Sequence, residues 1–291
     1  MNQFKTLALL SLLSGLLVGL GYLVIGGPTG ILIGLAMAAI GNLSSWYFSD
    51  QIALRAYQAQ PVNREQAPVV YDIVERLSQQ AEIPMPGVYV IPSPAANAFA
   101  TGRNPSHAAV AVTEGIVSQL TAEELEGVIG HELTHILNRD TLTQAVAATV
   151  GGAISSLAYV AQWASFGMAY NRDENRGPNP LGLLLAVLVA PLAASLIQMT
   201  ISRTREFEAD AGAARLTQNP RALANALQKL EASARQVPIQ GNPAYEPLLI
   251  INAFSREGMA GLFATHPSTE ARVEKLLALE AALAKAENLT S

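Results

Sequence analysis

Residues 121–140 read TAEELEGVIGHELTHILNRD. This stretch decides the fold because it predicts a helix whose first residue can be identified from the sequence. Thr121 and Glu124 have the spacing of a capping box. In that motif the hydroxyl accepts from the amide three residues on, and the carboxylate reaches back to the first amide. We therefore predict a helix that begins at Ala122 and runs through Asp140.

Inside this helix, residues 131–135 read HELTH, an HExxH pattern. Residues four apart are neighbours on one helix face, so His131 and His135 can both bind one tetrahedral Zn²⁺. Glu132 is then placed as general base: it takes a proton from the zinc-activated water that attacks a peptide carbonyl, and returns it to the leaving amine. The alternative is a surface helix with solvated side chains. The independent helix start, and the use of two of only 4 histidines, favour the metal site.

A catalytic zinc takes three protein ligands, and the third is not the histidine of an HExxHxxGxxH pattern, because position 141 is Thr. Residues 206–210 read EFEAD, in which Glu206 and Asp210 share a helix face. Glu206 could bind zinc while Asp210 accepts the free N–H of a ligand histidine. Glu208 lies on the opposite side and is the weaker candidate. An ordinary charged helix end stays equally open on spacing alone.

Charge is very unevenly distributed along the 291 residues. The chain has 18 Lys plus Arg and 23 Asp plus Glu, and none of them lies in 6–49, 141–171 or 177–202. This distribution predicts a soluble domain tied to a bilayer, and excludes a disordered chain and a simple cytosolic globule. Absence of cysteine excludes disulfides, thiolate zinc sites and Cys nucleophiles. A net charge of −5 without a Lys/Arg cluster argues against a nucleic-acid partner.

Four apolar segments approach the roughly 20 residues that a helix needs to cross a bilayer: 7–25, 31–48, 141–170 and 181–201. The first two predict a hairpin with its turn at residues 26–30. A cleaved signal peptide is the alternative, but its apolar region is only about 7–15 residues long. The other two predict a second hairpin, with buried core helices or an interfacial hairpin as the alternatives.

Basic residues near the ends of these segments predict the orientation. Six lie on the side shared by the soluble segments, and two on the other: Lys5, Arg55, Arg64, Arg139, Arg203 and Arg205 against Arg172 and Arg176. The soluble parts should therefore face the cytoplasm. The expected organisation is a transmembrane hairpin (1–49), a first catalytic part (50–140), a second apolar hairpin (141–202) and a second catalytic part (203–291).

The soluble segments mix helical and extended patterns. Helices are predicted at 64–81, 203–216, 220–235 and 268–286, and short strands at 87–91, 97–101 and 108–113. The predicted class is therefore α+β and mainly helical, with a small β-sheet beside the HExxH helix and transmembrane helices attached.

Four motifs together resemble the HtpX-type bacterial membrane metalloproteases and, more distantly, the CAAX prenyl proteases of the eukaryotic endoplasmic reticulum. They are NAFATG, HELTHILNRD, SRTREFEAD and THPSTEAR, in the family's order. The resemblance implies a zincin-like, zinc-dependent endopeptidase in the bacterial cytoplasmic (inner) membrane, multi-pass, with the catalytic domain facing the cytoplasm. It implies quality control of membrane proteins, with polypeptide substrates and the lipid bilayer as partners.

Carried over residue by residue, the resemblance implies one Zn²⁺ per chain. The matched metal-site residues are the ligands His131, His135 and Glu206, the base Glu132, and Asp210, which orients a ligand. The matched substrate residues are Asn97, Ala98, Phe99 and Ala100, an edge strand that would hold an extended polypeptide by β-addition. His266 and Arg272 match the HPxxxxR segment, whose side chains are suited to stabilise the tetrahedral oxyanion.

Two alternatives to broad quality control stay open at this stage. One is a processing protease with a single dedicated membrane substrate. The other is a membrane scaffold with a structural zinc and no turnover. Glu132 argues against the scaffold, because a closed structural site has no use for a base beside its ligand.

Overall fold

The computed structural model describes residues 2–25, 27–149, 203–237, 239, 248–251 and 267–290. Its helices are α1 (Asn2–Ile25), α2 (Gly27–Tyr47), α3 (Ser49–Ala56), α4 (Pro68–Gln80), α5 (Glu114–Gln119), α6 (Ala122–Leu137), α7 (Arg203–Thr217), α8 (Pro220–Gln236) and α9 (Thr269–Thr290). Residues 141–149 are also helical. The predicted mainly helical class is confirmed, and the four predicted soluble helices correspond to α4, α7, α8 and α9.

One mixed sheet lies within the described part of the chain. Its strands are β1 (Gln60–Pro61), β2 (Gly87–Ile91), β3 (Ala98–Gly102) and β4 (Ala108–Thr113). The order is β1-β2-β4-β3, with β2 parallel to β4 and both outer strands antiparallel to their neighbours. The predicted strands at 87–91 and 108–113 are confirmed, and the strand predicted at 97–101 lies one residue further on. Strand β3 is therefore an edge strand.

Helix α6 occupies the centre of the soluble domain. It contacts β3 and β4 on the sheet and the helices α4, α7 and α8. Ile129 and Leu133 of α6 share one apolar core with Leu77 of α4 and with Val110 and Val112 of β4, all of them fully buried. Burying each such side chain contributes about 1.5–3 kcal/mol, so the helix that carries HELTH is fixed from several sides.

The start of α6 confirms the predicted capping box. The Thr121 hydroxyl accepts from the Glu124 amide at 3.3 Å, and the Glu124 carboxylate accepts from the Thr121 amide at 2.9 Å. The helix accordingly begins at Ala122, as predicted.

The end of α6 differs from the prediction, because the helix stops at Leu137 and does not run through Asp140. Arg139 has a φ of 56°, in the left-handed region. The Asp140 amide donates to the His135 carbonyl at 2.9 Å and the Arg139 amide donates to the Ile136 carbonyl at 3.1 Å. These two bonds form a Schellman motif, which ends a helix by satisfying its last carbonyls. Glycine usually occupies this left-handed position. Because the residue here is arginine, the sequence does not indicate that the helix ends at this point.

Helices α1 and α2 form an antiparallel pair at the N-terminus. They approach so closely at Gly34 that a Cβ there would lie 2.7 Å from the Leu17 carbonyl oxygen. The predicted turn at 26–30 is shorter than expected, since α2 begins at Gly27. Pro28 causes no break because a proline is tolerated in the first turn of a helix. Within the described residues, α2 is the helix long and apolar enough to cross a membrane, and α1 carries a shorter apolar stretch, Thr6–Gly19.

Most of the second pair of predicted membrane spans lies outside the described residues. Its beginning, 141–149, is helical, and Val146, Ala147 and Ala148 are fully buried. The Thr143 and Thr6 hydroxyls lie 3.0 Å apart, which places this segment against α1.

Candidate metal centre

Two imidazoles of α6 face one point in the protein interior. The Nε2 atoms of His131 and His135 are 3.2 Å apart, and the two rings are perpendicular, with centroids 4.7 Å apart. Both side chains are buried. The four-residue spacing of the HELTH motif puts them on one helix face, as the sequence predicted.

Helix α7 brings a carboxylate to the same point. The Glu206 oxygens lie 3.7 Å from the Nε2 atom of each histidine, one oxygen facing each ring. Helices α6 and α7 can pack this closely because small residues lie between them: a Cβ added at Gly130 would contact Ala213, and one added at Gly212 would meet Thr134.

The geometry of these three residues fits a tetrahedral metal ion. Bonds of about 2.0–2.1 Å from a tetrahedral zinc separate neighbouring ligand atoms by about 3.3 Å. The observed separations of 3.2, 3.7 and 3.7 Å bracket that value. Within the described residues, one ligand atom from each of His131, His135 and Glu206 lies within 4.8 Å of the other two, close enough for all three to hold one metal ion. Glu208, the weaker sequence candidate, is exposed and takes no part.

A buried carboxylate holds the other nitrogen of His131. Asp210 lies 2.9 Å from the Nδ1 atom of His131 and receives two hydrogen bonds from Arg272, at 2.8 and 2.6 Å. Burial opposes ionisation of Asp210, but the Arg272 guanidinium outweighs it and lowers the pKa of Asp210 to about 2. Burial, together with the positive charge of Arg272, lowers the pKa of His131 to about 4. His131 is therefore neutral at pH 7, as a metal ligand must be.

Arg272 lies at the site, with its guanidinium against Asp210, the Ile250 carbonyl and the His131 ring. Besides the two bonds to Asp210, its Nη1 atom donates to the Ile250 carbonyl at 2.8 Å. The side chain is fully buried. Its expected partner in oxyanion stabilisation, His266, lies outside the described residues.

His135 has a carboxylate partner that the sequence did not predict. The Oδ2 atom of Asp140 lies 3.1 Å from the Nδ1 atom of His135. Burial by itself lowers the pKa of His135. The hydrogen bond to Asp140 and the negative charges of Glu206 and Glu132 raise this pKa by more, so the net shift of the pKa is upward. An acidic residue five positions after a ligand histidine was the available signal. This spacing indicates a contact between Asp140 and His135 only once the helix is known to end between the two residues.

Glu132 is buried beside the two histidines. Burial is the main cause that raises the pKa of its carboxyl to about 7, while the His135 ring and a hydrogen bond from the Ala100 amide act in the opposite direction. A carboxylate with a pKa near the working pH suits a general base. The Ala100 contact also ties this base to the edge strand β3.

The edge of β3 is partly paired with another segment of the chain. The Ile250 amide donates to the Ala98 carbonyl at 3.0 Å and to the Asn97 side-chain oxygen at 3.1 Å. Asn97, Ala98, Phe99 and Ala100 are all buried. Of these four residues, Ala100 bonds to Glu132, and Ile250 pairs with the edge at Ala98.

The chain is similar in sequence to a family of peptidases. A family model described as peptidase family M48 matches residues 64–280. The chain is 65% identical over 280 residues to a protein named "Protease HtpX homolog" from Trichormus variabilis, covering 96% of this chain and 97% of the relative. A protein of the same name from Thermococcus kodakarensis is 48% identical over 273 residues, with 94% of each chain covered.

One solved structure has a related fold. The crystal structure of Ste24p from S. mikatae superposes with a TM-score of 0.50 at 19% identity, covering 94% of this chain. The match spans 65% of that longer protein. At this identity the comparison shows a shared fold.

Proposed function

The chain belongs to peptidase family M48, a family of metallopeptidases, and from that premise we propose that it is a zinc-dependent endopeptidase of the bacterial cytoplasmic membrane. The observation that carries the proposal is the buried group of His131, His135 and Glu206, with a second buried carboxylate, Glu132, beside it. Three ligands at tetrahedral separations, with an adjacent group able to accept a proton near pH 7, are the arrangement of a hydrolytic zinc site.

The residues of the site divide the chemistry between them. A zinc ion held by His131, His135 and Glu206 would supply Lewis acidity toward a water molecule and the scissile carbonyl. Glu132 takes the proton of the attacking water and returns it to the leaving amine, so the same carboxylate acts as base and then as acid. Asp210, fixed by Arg272, holds the N–H of His131 and keeps its Nε2 atom directed at the metal.

We propose that the substrate lies extended along β3, at Asn97, Ala98, Phe99 and Ala100. The neighbourhood of the Ala100 amide and the Glu132 carboxylate supports this placement, because a strand added here would bring its backbone to the base. The Ala98 carbonyl already accepts a hydrogen bond from the Ile250 amide. A substrate strand that bonds to this carbonyl therefore has to displace Ile250 from it.

His266 remains proposed as a donor to the tetrahedral oxyanion. Arg272 remains proposed there too, and its guanidinium in addition holds Asp210 and the Ile250 carbonyl and lies 3.4 Å from the Nδ1 atom of His131.

The candidate metal site supports an even number of membrane crossings between its ligands. His131 and His135 precede the apolar segment 141–202 and Glu206 follows it, so one ion can bind all three only if both ends of the segment lie on the same membrane face. We propose two crossings there and two more in α1 and α2, with the cytoplasm as the common face. A cysteine at Asn175 should react with an impermeant thiol reagent from the periplasmic side, and one at Ser118 should be protected. The reverse pattern would overturn the orientation.

We propose that the substrates are damaged or misfolded membrane proteins. The direct test of the activity is incubation of the purified, detergent-solubilised chain with an unfolded substrate such as casein, with zinc and with a chelator, while autocleavage is followed in the same samples. Cleavage that requires zinc supports the endopeptidase. Zinc uptake without cleavage of casein or of the chain itself would favour a processing protease with one dedicated substrate or a non-catalytic zinc protein.

A further inference from the structure

We propose that Asp140 is a positioning residue that holds His135 as a metal ligand, and that the left-handed turn at Arg139 places it there. This inference rests on the proposed zinc site. It adds to that site a second carboxylate that contacts a ligand histidine, located between the end of α6 and the apolar segment 141–202.

The contact itself has the geometry of an oriented ligand. The Oδ2 atom of Asp140 lies 3.1 Å from the Nδ1 atom of His135, and both side chains are at most 5% exposed. A histidine that binds metal through Nε2 must carry its proton on Nδ1, and an acceptor at Nδ1 fixes both this tautomer and the ring orientation. Asp210 stands in the same relation to His131, at 2.9 Å. Each ligand histidine thus has its own carboxylate.

The helix has to break for this contact to form. In a continuous α-helix, a residue five positions after His135 would lie about 140° away around the axis, and its side chain could not reach back to the ring. The left-handed residue Arg139 turns the chain, so that the Asp140 amide bonds the His135 carbonyl while the carboxylate reaches the imidazole. A non-glycine residue in that conformation costs about 1–2 kcal/mol, so the turn is formed against local preference.

Asp140 also connects the site to both ends of the second apolar segment. Its carbonyl accepts from the Gln144 amide at 3.1 Å, so it begins the helical residues 141–149. Its Oδ1 atom lies 3.6 Å from the guanidinium of Arg205, which follows the segment and immediately precedes Glu206. The carboxylate therefore lies between the entry to the segment, the exit from it, and the metal ligand His135.

A purely structural role for Asp140, as the cap of residues 141–149, makes a different prediction from a positioning role. Asparagine caps a helix about as well as aspartate does, so Asp140→Asn should leave Zn²⁺ binding unchanged if capping is its only role. The neutral amide is a much weaker partner for the N–H of a metal-bound imidazole than a carboxylate is. Asp140→Asn therefore separates the two roles.

The test uses the full chain in detergent, purified without a histidine tag, with Zn²⁺ affinity measured by competition with a chromophoric chelator. Asp140→Asn should bind Zn²⁺ about 10–100-fold more weakly than wild type. The thermal midpoint of the chelated protein should fall, because the buried Arg205 guanidinium loses the charged partner that lies 3.6 Å away, so the affinities are compared well below that midpoint. Glu208→Gln, an exposed carboxylate on α7, is the matched control and should bind as wild type does. With Co²⁺ in place of zinc, the visible absorption bands should shift in Asp140→Asn and stay unchanged in the control.

The outcomes separate this inference from the proposed function. If wild type binds Zn²⁺ and Asp140→Asn binds it equally well with an unchanged Co²⁺ spectrum, the positioning role is wrong and the zinc site stands. If wild type takes up no Zn²⁺ at all, the proposed function fails and this inference fails with it. Should Asp140→Asn be unstable, Asp140→Ser provides the second variant: serine keeps the cap but is too short to reach His135, so weaker Zn²⁺ binding is again expected.

Discussion

Gly212 of α7 lies against Thr134 of α6 so closely that a Cβ on Gly212 would lie 2.3 Å from the Thr134 methyl group. This contact brings the backbone of α7, which carries Glu206, within reach of the helix that carries both histidines. The distance between these helices therefore sets the separation of the three ligand atoms.

Gly212→Ala should force the two helices apart and destabilise the fold by about 1–3 kcal/mol, as overpacking of a close contact does. Thermal unfolding of the chelated protein measures the effect as a lower midpoint. The double variant Gly212→Ala with Thr134→Ala removes the clashing methyl group and should recover most of the loss. A double variant as unstable as the single one would show that the contact does not set the helix spacing.

The third ligand can be tested by metal content. Glu206→Ala should lower the zinc stoichiometry of the purified protein, because it removes one of three buried ligand atoms. Glu208→Ala, two residues away and exposed, should leave the stoichiometry unchanged. Metal content that followed Glu208 instead would refute the assignment of the ligand face of α7.

Arg272→Met should destabilise the protein strongly, because it leaves the buried Asp210 carboxylate without its partner. Breaking one side of a buried pair costs about 3–5 kcal/mol. The double variant Arg272→Met with Asp210→Asn removes the unpaired charge and should restore part of the thermal midpoint. Arg221→Met breaks an exposed ion pair with Glu280 and should barely change it. Equal midpoints for Arg272→Met and Arg221→Met would contradict the pairing described here.

The raised pKa of Glu132 predicts a pH-dependent stability difference. Burial raises this pKa from 4.5 to about 7, so the folded protein holds the proton more tightly than the unfolded chain does. Stability is therefore lost as the pH rises between these two values, by about 3 kcal/mol in total. Glu132→Gln imitates the protonated form and escapes this loss.

The measurement is the thermal midpoint of chelated wild type and of chelated Glu132→Gln at several pH values. The thermal midpoint of Glu132→Gln should rise relative to that of wild type as the pH increases from 5 to 8. The midpoint of Glu208→Gln should equal that of wild type at every pH. Parallel curves for Glu132→Gln and wild type would mean that burial does not perturb Glu132.

Local patterns in the sequence predicted much of the fold and the candidate ligands. Thr121 and Glu124 mark the start of their helix because their side chains bond to backbone amides three residues away. His131 and His135 lie on one helix face because of the helical period. Both are short-range consequences of one regular helix. The relative placement of two such ligands can therefore be predicted before any tertiary contact is known.

Contacts between distant or irregular segments could not be predicted in the same way. Arg272 and Asp210 are 62 positions apart and meet only after α7 and α9 have packed. Asp140 reaches His135 because Arg139 adopts a conformation that arginine rarely takes, with no glycine to mark it. The pairing of Ile250 with Ala98 likewise depends on tertiary placement, 152 positions apart along the chain.

The central claim is that Glu132 is the base of a zinc peptidase whose ligands are other residues. It is tested most directly by measuring, on one preparation of Glu132→Gln, both the zinc content and the rate of casein cleavage. The predicted result is zinc at the wild-type level with no cleavage above the chelated control, since glutamine leaves the ligands in place but cannot accept the proton. Cleavage by Glu132→Gln at the wild-type rate would contradict the account.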